Sequence, residues 1–381
     1  MKIVLAFDSF KGSLTSREVA HAFSIGFRRI INHCEVCIAN IADGGEGTLE
    51  TLVEAHDGLY INKCVSDPLG RPVEARYGII DNGNTAVIEM AAASGLTLLA
   101  DHERNPMKST TFGTGQLIAD AIRRGCSKLL IGIGGSATND GGVGMLRALG
   151  YKFLDAYGNE LIGGGEILSD IFSIDDTHVI PALHCTEITV ACDVNNPLYG
   201  VNGAAHVYAP QKGADKKMVE QLDDGLRNYA KCLQAYCDCD VASIPGAGAA
   251  GGMGAGLIAV MKAQPVRGVD MVLDALHFEN MIEGSNYVIT GEGRMDKQTV
   301  MGKAPGGVLR IAQKHGIPTI AVCGIVDDCI ELQQSGFAHI VVTKPPQMPI
   351  ETAMQPDIAI QNIIYTSQQV AEMIQARNNL I

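Results

Sequence analysis

The stretch Lys2-Ile3-Val4-Leu5-Ala6-Phe7, followed by Asp8-Ser9-Phe10-Lys11-Gly12-Ser13-Leu14-Thr15-Ser16, decides the fold reading. Lys2–Phe7 is a short apolar run and reads as a buried strand. A helix is expected over 15–31, opened by Thr15 or Ser16, with Glu18 placed as a capping-box partner. Residues 35–41 read as a second strand and 46–55 as a second helix. The chain therefore opens β-α-β-α, the start of a doubly wound sheet. The same alternation returns at the far end, with strands at 287–290, 318–323 and 339–343 and helices at 303–315, 327–335 and 359–377.

Between these segments the texture changes. Residues 60–90 carry turn signals at Pro68-Leu69-Gly70 and Asp81-Asn82-Gly83-Asn84 and predict a β-hairpin. Strands follow at 86–90, 128–133 and 188–192, with helices near 114–125, 142–149 and 215–236. The economical arrangement is α/β throughout: a discontinuous domain of 1–66 plus 287–381, with a second α/β domain inserted at 67–286. Two chain crossings make a natural hinge and cleft.

A length of 381 residues suits two or three cores, and 46% apolar with 19% charged residues is a globular composition. Lys plus Arg number 29 against 42 Asp plus Glu, a net charge of −13, and Trp is absent. Such a chain lacks both the basic field and the stacking platforms of a nucleic-acid binder. The apolar run after Met1-Lys2 is too short for a signal peptide, and the Gly/Ala-rich stretch from Pro245 to Met261 is too weakly apolar to span a bilayer. No membrane partner is expected, and the location is expected to be cytoplasmic. Eleven cysteines are scattered, and Cys34 and Cys37 fall on opposite faces of a strand, so reduced structural thiols are expected rather than zinc.

The informative excess is glycine, 44 residues, half of them gathered in ADGGEGT (42–48), FGTG (112–115), GIGGSATNDGGVG (132–144), PGAGAAGGMGAG (245–256), GEG (291–293) and GKAPGG (302–307). Several clusters stand between an apolar run and a helical pattern, where backbone N–H groups can meet an anion. Each could be a tight turn, but together, carrying Ser, Thr, Asp and Glu, they point to phosphate handling. The usual signatures are absent. No GxxxxGK[ST] occurs, and the GxGxxG at Gly246, Gly248 and Gly251 follows Val241–Pro245, a poor strand closed by proline.

Read in order, DSFKGSLTS (8–16), ADGGEGT (42–48), EMAAASGL (89–96), FGTGQLI (112–118), GIGGSATNDGG (132–142), CDVNNPLYG (192–200), PQKGA (210–214), PGAGAAGGMGAG (245–256), ITGEGRMDKQT (289–299) and GKAP (302–305) resemble the bacterial glycerate kinase (type 1) family. The last sixty residues match weakly. The resemblance implies ATP-dependent phosphorylation of D-glycerate, usually at the 2-hydroxyl, with Mg²⁺. It also implies a Rossmann- or flavodoxin-like terminal domain and an active site in the cleft between two domains. Phe7 and Cys323 depart from the family pattern without removing an ionisable group. A glycerate 3-kinase, a kinase of a related small hydroxy acid and a non-catalytic binder of sugar acids or nucleotides are the alternatives. Carboxylates inside the glycine loops favour the kinase, because a simple anion binder would avoid that repulsion. Assembly into a homo-oligomer is left open.

Phosphoryl transfer needs cations on the phosphates, carboxylates for the metal, a proton acceptor and a grip on the substrate. Lys11, Arg294 and Lys303 are the expected catalytic cations, and Asp193, after the strand at 188–192, is the expected base. Asp43, Glu46, Glu292 and Asp296 are the expected metal ligands. Substrate and phosphate contacts are expected from Asp8, Ser9, Ser94, Thr114, Ser136, Thr138, Asn139, Asp140 and Lys212, and from Gly134, Gly135, Gly251, Gly252, Gly291 and Gly293. A cap or turn role competes for every Asp in this set.

Overall fold

The structure, a computed structural model, describes residues 1–42, 44–45, 47–327 and 330–378. Asp43 and Glu46, two of the expected metal ligands, lie outside the described residues. The strands, in chain order, are β1 (Lys2–Phe7), β2 (Glu35–Ile38), β3 (Leu59–Ser66), β4 (Pro72–Ile80), β5 (Thr85–Glu89), β6 (Lys128–Gly132), β7 (Lys152–Leu154) and β8 (Ser173–Asp175). They continue as β9 (Glu187–Ala191), β10 (Gln264–Val266), β11 (Tyr287–Gly291), β12 (Arg294–Met295), β13 (Thr319–Cys323), β14 (Ile325–Val326) and β15 (His339–Val342).

The chain divides into two compact units, Met1–Asp43 with Val272–Ile381, and Gly44–Met271. The first holds an all-parallel sheet in the order β15-β13-β11-β1-β2. Counted along this unit the order is 2-1-3-4-5, the flavodoxin-like doubly wound arrangement. The apolar run reads as it does because β1 is central: Ile3, Leu5 and Phe7 are fully buried. Phe7 packs on Phe23 with ring centroids 5.4 Å apart. That ring sits on the helix Ser16–Ile30, whose N-terminus carries the expected Thr15–Glu18 capping box. The long helix Pro356–Asn378 packs against that helix.

The second unit holds a mixed sheet in the order β10-β9-β6-β5-β4-β3. β3, β4 and β5 form an antiparallel meander; β5, β6, β9 and β10 run parallel. The passages expected at 66/67 and 286/287 shift to 43/44 and 271/272. The reason is pairing: β3 bonds to β4 along its whole length, and the helix Thr48–Ala55 packs on β4 and β5. Among the described residues no helix is long and apolar enough to cross a membrane.

Candidate active site

In a doubly wound sheet, ligands bind outside the carboxyl ends of the strands where the strand order reverses. In the first unit that point lies between β1 and β11, and the DSFKGS and GEGR loops leave the sheet there. Asp8 donates its backbone N–H to the Gly291 carbonyl at 2.9 Å, and its carboxylate accepts from the Ser9 N–H at 2.7 Å. A tight turn follows: Phe10 and Leu14 exchange backbone bonds, and Lys11 stands exposed at the tip. Beyond β11, Glu292 is 6% exposed. Lys303 reaches it at 3.1 Å and Asp296 at 3.4 Å, so one ammonium is held between two carboxylates. Burial pushes the Glu292 carboxyl above its ordinary range, while the Thr299 hydroxyl and Lys303 pull it back.

Asp296 is also a helix cap, accepting the Gln298 and Thr299 N–H groups at 2.8 and 3.2 Å. Arg294 pairs with Asp327 across an exposed surface at 3.0 Å. Such a pair contributes little and exchanges readily. Asp8, Ser9, Lys11, Glu292, Gly293, Arg294 and Lys303 all line one pocket of about 270 Å³. Gly291 does not line it. It belongs to the sheet, where a Cβ would come within 1.7 Å of the Val322 carbonyl.

In the second unit the carboxyl ends of three adjacent parallel strands lie level, since Glu89 pairs with Gly132 and Gly132 with Ala191. The loops that follow carry Ser94, Gly134–Ser136 and Asp193. Gly134 and Gly135 are exposed and Ser136 half-buried. Lys212 supports this loop from within, donating to the Ser136 hydroxyl at 2.7 Å and to the Thr138 carbonyl at 2.6 Å. Asn139 is fully buried, and neither amide atom has a hydrogen-bond partner among the described residues. Thr138 Oγ1 is likewise unpartnered. Such orphans are rare and mark a place for a ligand or water.

Other expected contacts serve the scaffold. Asp140 is fully buried and accepts the Thr111 N–H and hydroxyl, each at 2.8 Å, and the Gly142 and Gly144 N–H groups at 3.1 Å. With its oxygens so occupied it fixes the loop instead of facing a ligand. Ser94 and Thr114 hydroxyls bond each other at 2.7 Å, both fully buried. Gly251 and Gly252 are buried, and Gly251 packs so closely that a Cβ would lie 2.0 Å from the Thr138 carbonyl. Asp193 is exposed, and its Oδ1 accepts the Gly268 N–H at 2.9 Å, anchoring the helix Gly268–Ala275.

A sequence model described as the Glycerate kinase family matches residues 3–375. The chain belongs to the glycerate kinase family. It is 47% identical to a glycerate 2-kinase of Escherichia coli K12 over 88% of this chain and 89% of that one. With a glycerate kinase of Bacillus cereus it shares 45% identity over 97% of each chain. The crystal structure assigned as glycerate kinase 2 from Salmonella typhimurium LT2 superposes with a TM-score of 0.90 at 44% identity, covering 100% of this chain and 99% of that one.

Some pocket residues of this family member lie outside the glycine motifs. Thr343, Lys344, Ile350, Met354 and Asn362 come from the C-terminal segment, which carries no glycine motif although the family match extends through it to residue 375. Nothing in their spacing separates them from ordinary core and surface positions. The usable signal is structural: Ile350 and Met354 are 43% and 38% exposed at the two ends of the short helix Ile350–Ala353, Met354 being its C-cap.

Proposed function

We propose that this kinase transfers the γ-phosphoryl group of ATP to the 2-hydroxyl of D-glycerate, giving ADP and 2-phospho-D-glycerate. The observation that carries the reading is the Lys303 ammonium held between Glu292 and Asp296 beside Lys11, at the switch point of a parallel sheet. On a chain of net charge −13, the basic side chains that line this pocket, Lys11, Arg294, Lys303 and Lys344, are suited to a polyphosphate. Lys11 and Lys303 hold the transferring phosphates, and Arg294 joins them by leaving Asp327. Gly134, Gly135 and Ser136 offer N–H and hydroxyl donors to the acid, on a loop held rigid by Lys212 and Asp140. Asp193 accepts the hydroxyl proton.

Among the described residues no three His, Cys, Asp or Glu side chains form a metal cluster. Both Glu292 oxygens are engaged, by Thr299 at 2.6 Å and Lys303 at 3.1 Å. Of Glu292 and Asp296, the latter keeps an oxygen outside these bonds. That donor set fits an ion that arrives on the nucleotide, since Mg²⁺ commonly takes one or two carboxylates plus phosphates and waters. Mg²⁺ so bound would neutralise charge on the transferring group.

The test is incubation with ATP, Mg²⁺ and D-glycerate, with the product identified by phosphorus NMR. A 2-phosphoglycerate resonance is expected. A 3-phosphoglycerate resonance would keep the kinase and overturn the position; equal ADP release without glycerate would leave only an ATPase.

A further inference from the structure

We infer that the C-terminal segment 343–363 builds the site for the purine base of the nucleotide, an inference that rests on the ATP reading above. The pocket at the switch point has two chemically distinct sides. One carries Lys11 and Lys303. The other is a wall of Ile325, Ile350, Ala353 and Met354, drawn from two separate stretches of chain. Single exposed apolar side chains are ordinary, but convergence of several on one concave surface marks a ligand site. Glycerate bears oxygen on each of its three carbons and gains nothing from such a wall. A flat heterocycle does.

The two sides adjoin. Met354 lies over the turn that bears Lys11, where a Cβ on Gly12 would meet its Cε at 3.1 Å. A base against Met354 therefore leaves its phosphates beside the Lys11 turn. The volume, about 270 Å³, lies just below the usual range of ligand pockets, which starts at roughly 300 Å³, and suits one heterocycle. Asn362, whose amide makes a long bond to the Met348 sulfur at 3.6 Å, supplies a donor and an acceptor for the base edge.

The experiment compares binding of ADP and of inorganic tripolyphosphate by the full-length protein. Its variants are Ile350→Gln with Met354→Gln, which turns the exposed wall polar without adding charge, and Ala353→Phe, which fills the pocket. In each, ADP affinity and the KM for ATP should worsen at least tenfold. Tripolyphosphate affinity and the KM for glycerate should stay within about twofold. Equal weakening of ADP and tripolyphosphate, or a rise in the KM for glycerate alone, overturns the base pocket. Wild-type protein that binds ADP beside variants that bind it as tightly overturns it too. Wild-type protein that binds no adenine nucleotide overturns the ATP reading itself.

Discussion

The Nζ of Lys212 donates to the hydroxyl of Ser136 at 2.7 Å from a side chain that is 1% exposed. Burial pushes its pKa down to about 7, with Asp140 pulling it partly back. An unfolded chain holds the same proton up to about pH 10.4. Between those values the unfolded state binds more protons, so the contribution of Lys212 to stability rises with pH through that window. Lys212→Met removes the burial cost where it is largest. The variant's Tm minus that of wild type should therefore be greater at pH 6 than at pH 9. A difference independent of pH would mean that the buried lysine titrates normally.

Asp193→Asn keeps an oxygen for the Gly268 N–H and removes the base. Loss of a general base costs about 10²–10⁴ in rate, so kcat should fall at least a hundredfold with little change in Tm. Asp193→Ala should also lose about 1 kcal/mol of stability, as helix caps do. Near-normal kcat in the Asn variant would reduce Asp193 to its anchoring role.

Lys303→Met leaves the buried Glu292 carboxylate facing Asp296 without a cation. The kcat should drop by about 10²–10³, the usual cost of one preorganised donor. Glu292, already raised by burial, should hold its proton to still higher pH, moving the acid limb of the pH–kcat profile upward. An unmoved limb would disconnect Glu292 from the rate.

Gly251 has φ +67°, and its absent Cβ would fall 2.0 Å from the Thr138 carbonyl. Gly251→Ala combines a left-handed backbone, about 1–2 kcal/mol, with overpacking of about 1–3 kcal/mol. Urea unfolding should show a loss of at least about 2 kcal/mol. An unchanged midpoint would mean that the loop over Asn139 yields freely.

How much was legible depended on how local the cause was. Lys2–Phe7, the Thr15–Glu18 cap and the turns at Pro68–Gly70 and Asp81–Asn84 are set by neighbours in sequence, and could be read there. The pairing of β3 with β4 rather than with the first sheet is decided by long-range packing, so the unit boundary shifted. At the site, the Gly-flanked Lys11, Glu292 and Lys303 stood out by residue type. Asp140 and Ser94 look the same in sequence, yet buried partners consume them. Met354 and Asn362 carry no mark at all until Met354 is seen beside the Lys11 turn and Asn362 in the same pocket.

The central strands of the first sheet, β1 and β11, pair Ile3 with Tyr287, 284 positions apart. During synthesis at about 5–20 residues per second, β1 emerges roughly 15–60 s before its partner. The Gly44–Met271 unit is complete on the ribosome first. Throughout that interval the edge of the apolar strand β1 that pairs with β11 has no mate. The nascent chain is therefore most open to aggregation and to chaperone capture at its first seven residues, and the rate of translation through the insert sets how long that exposure lasts.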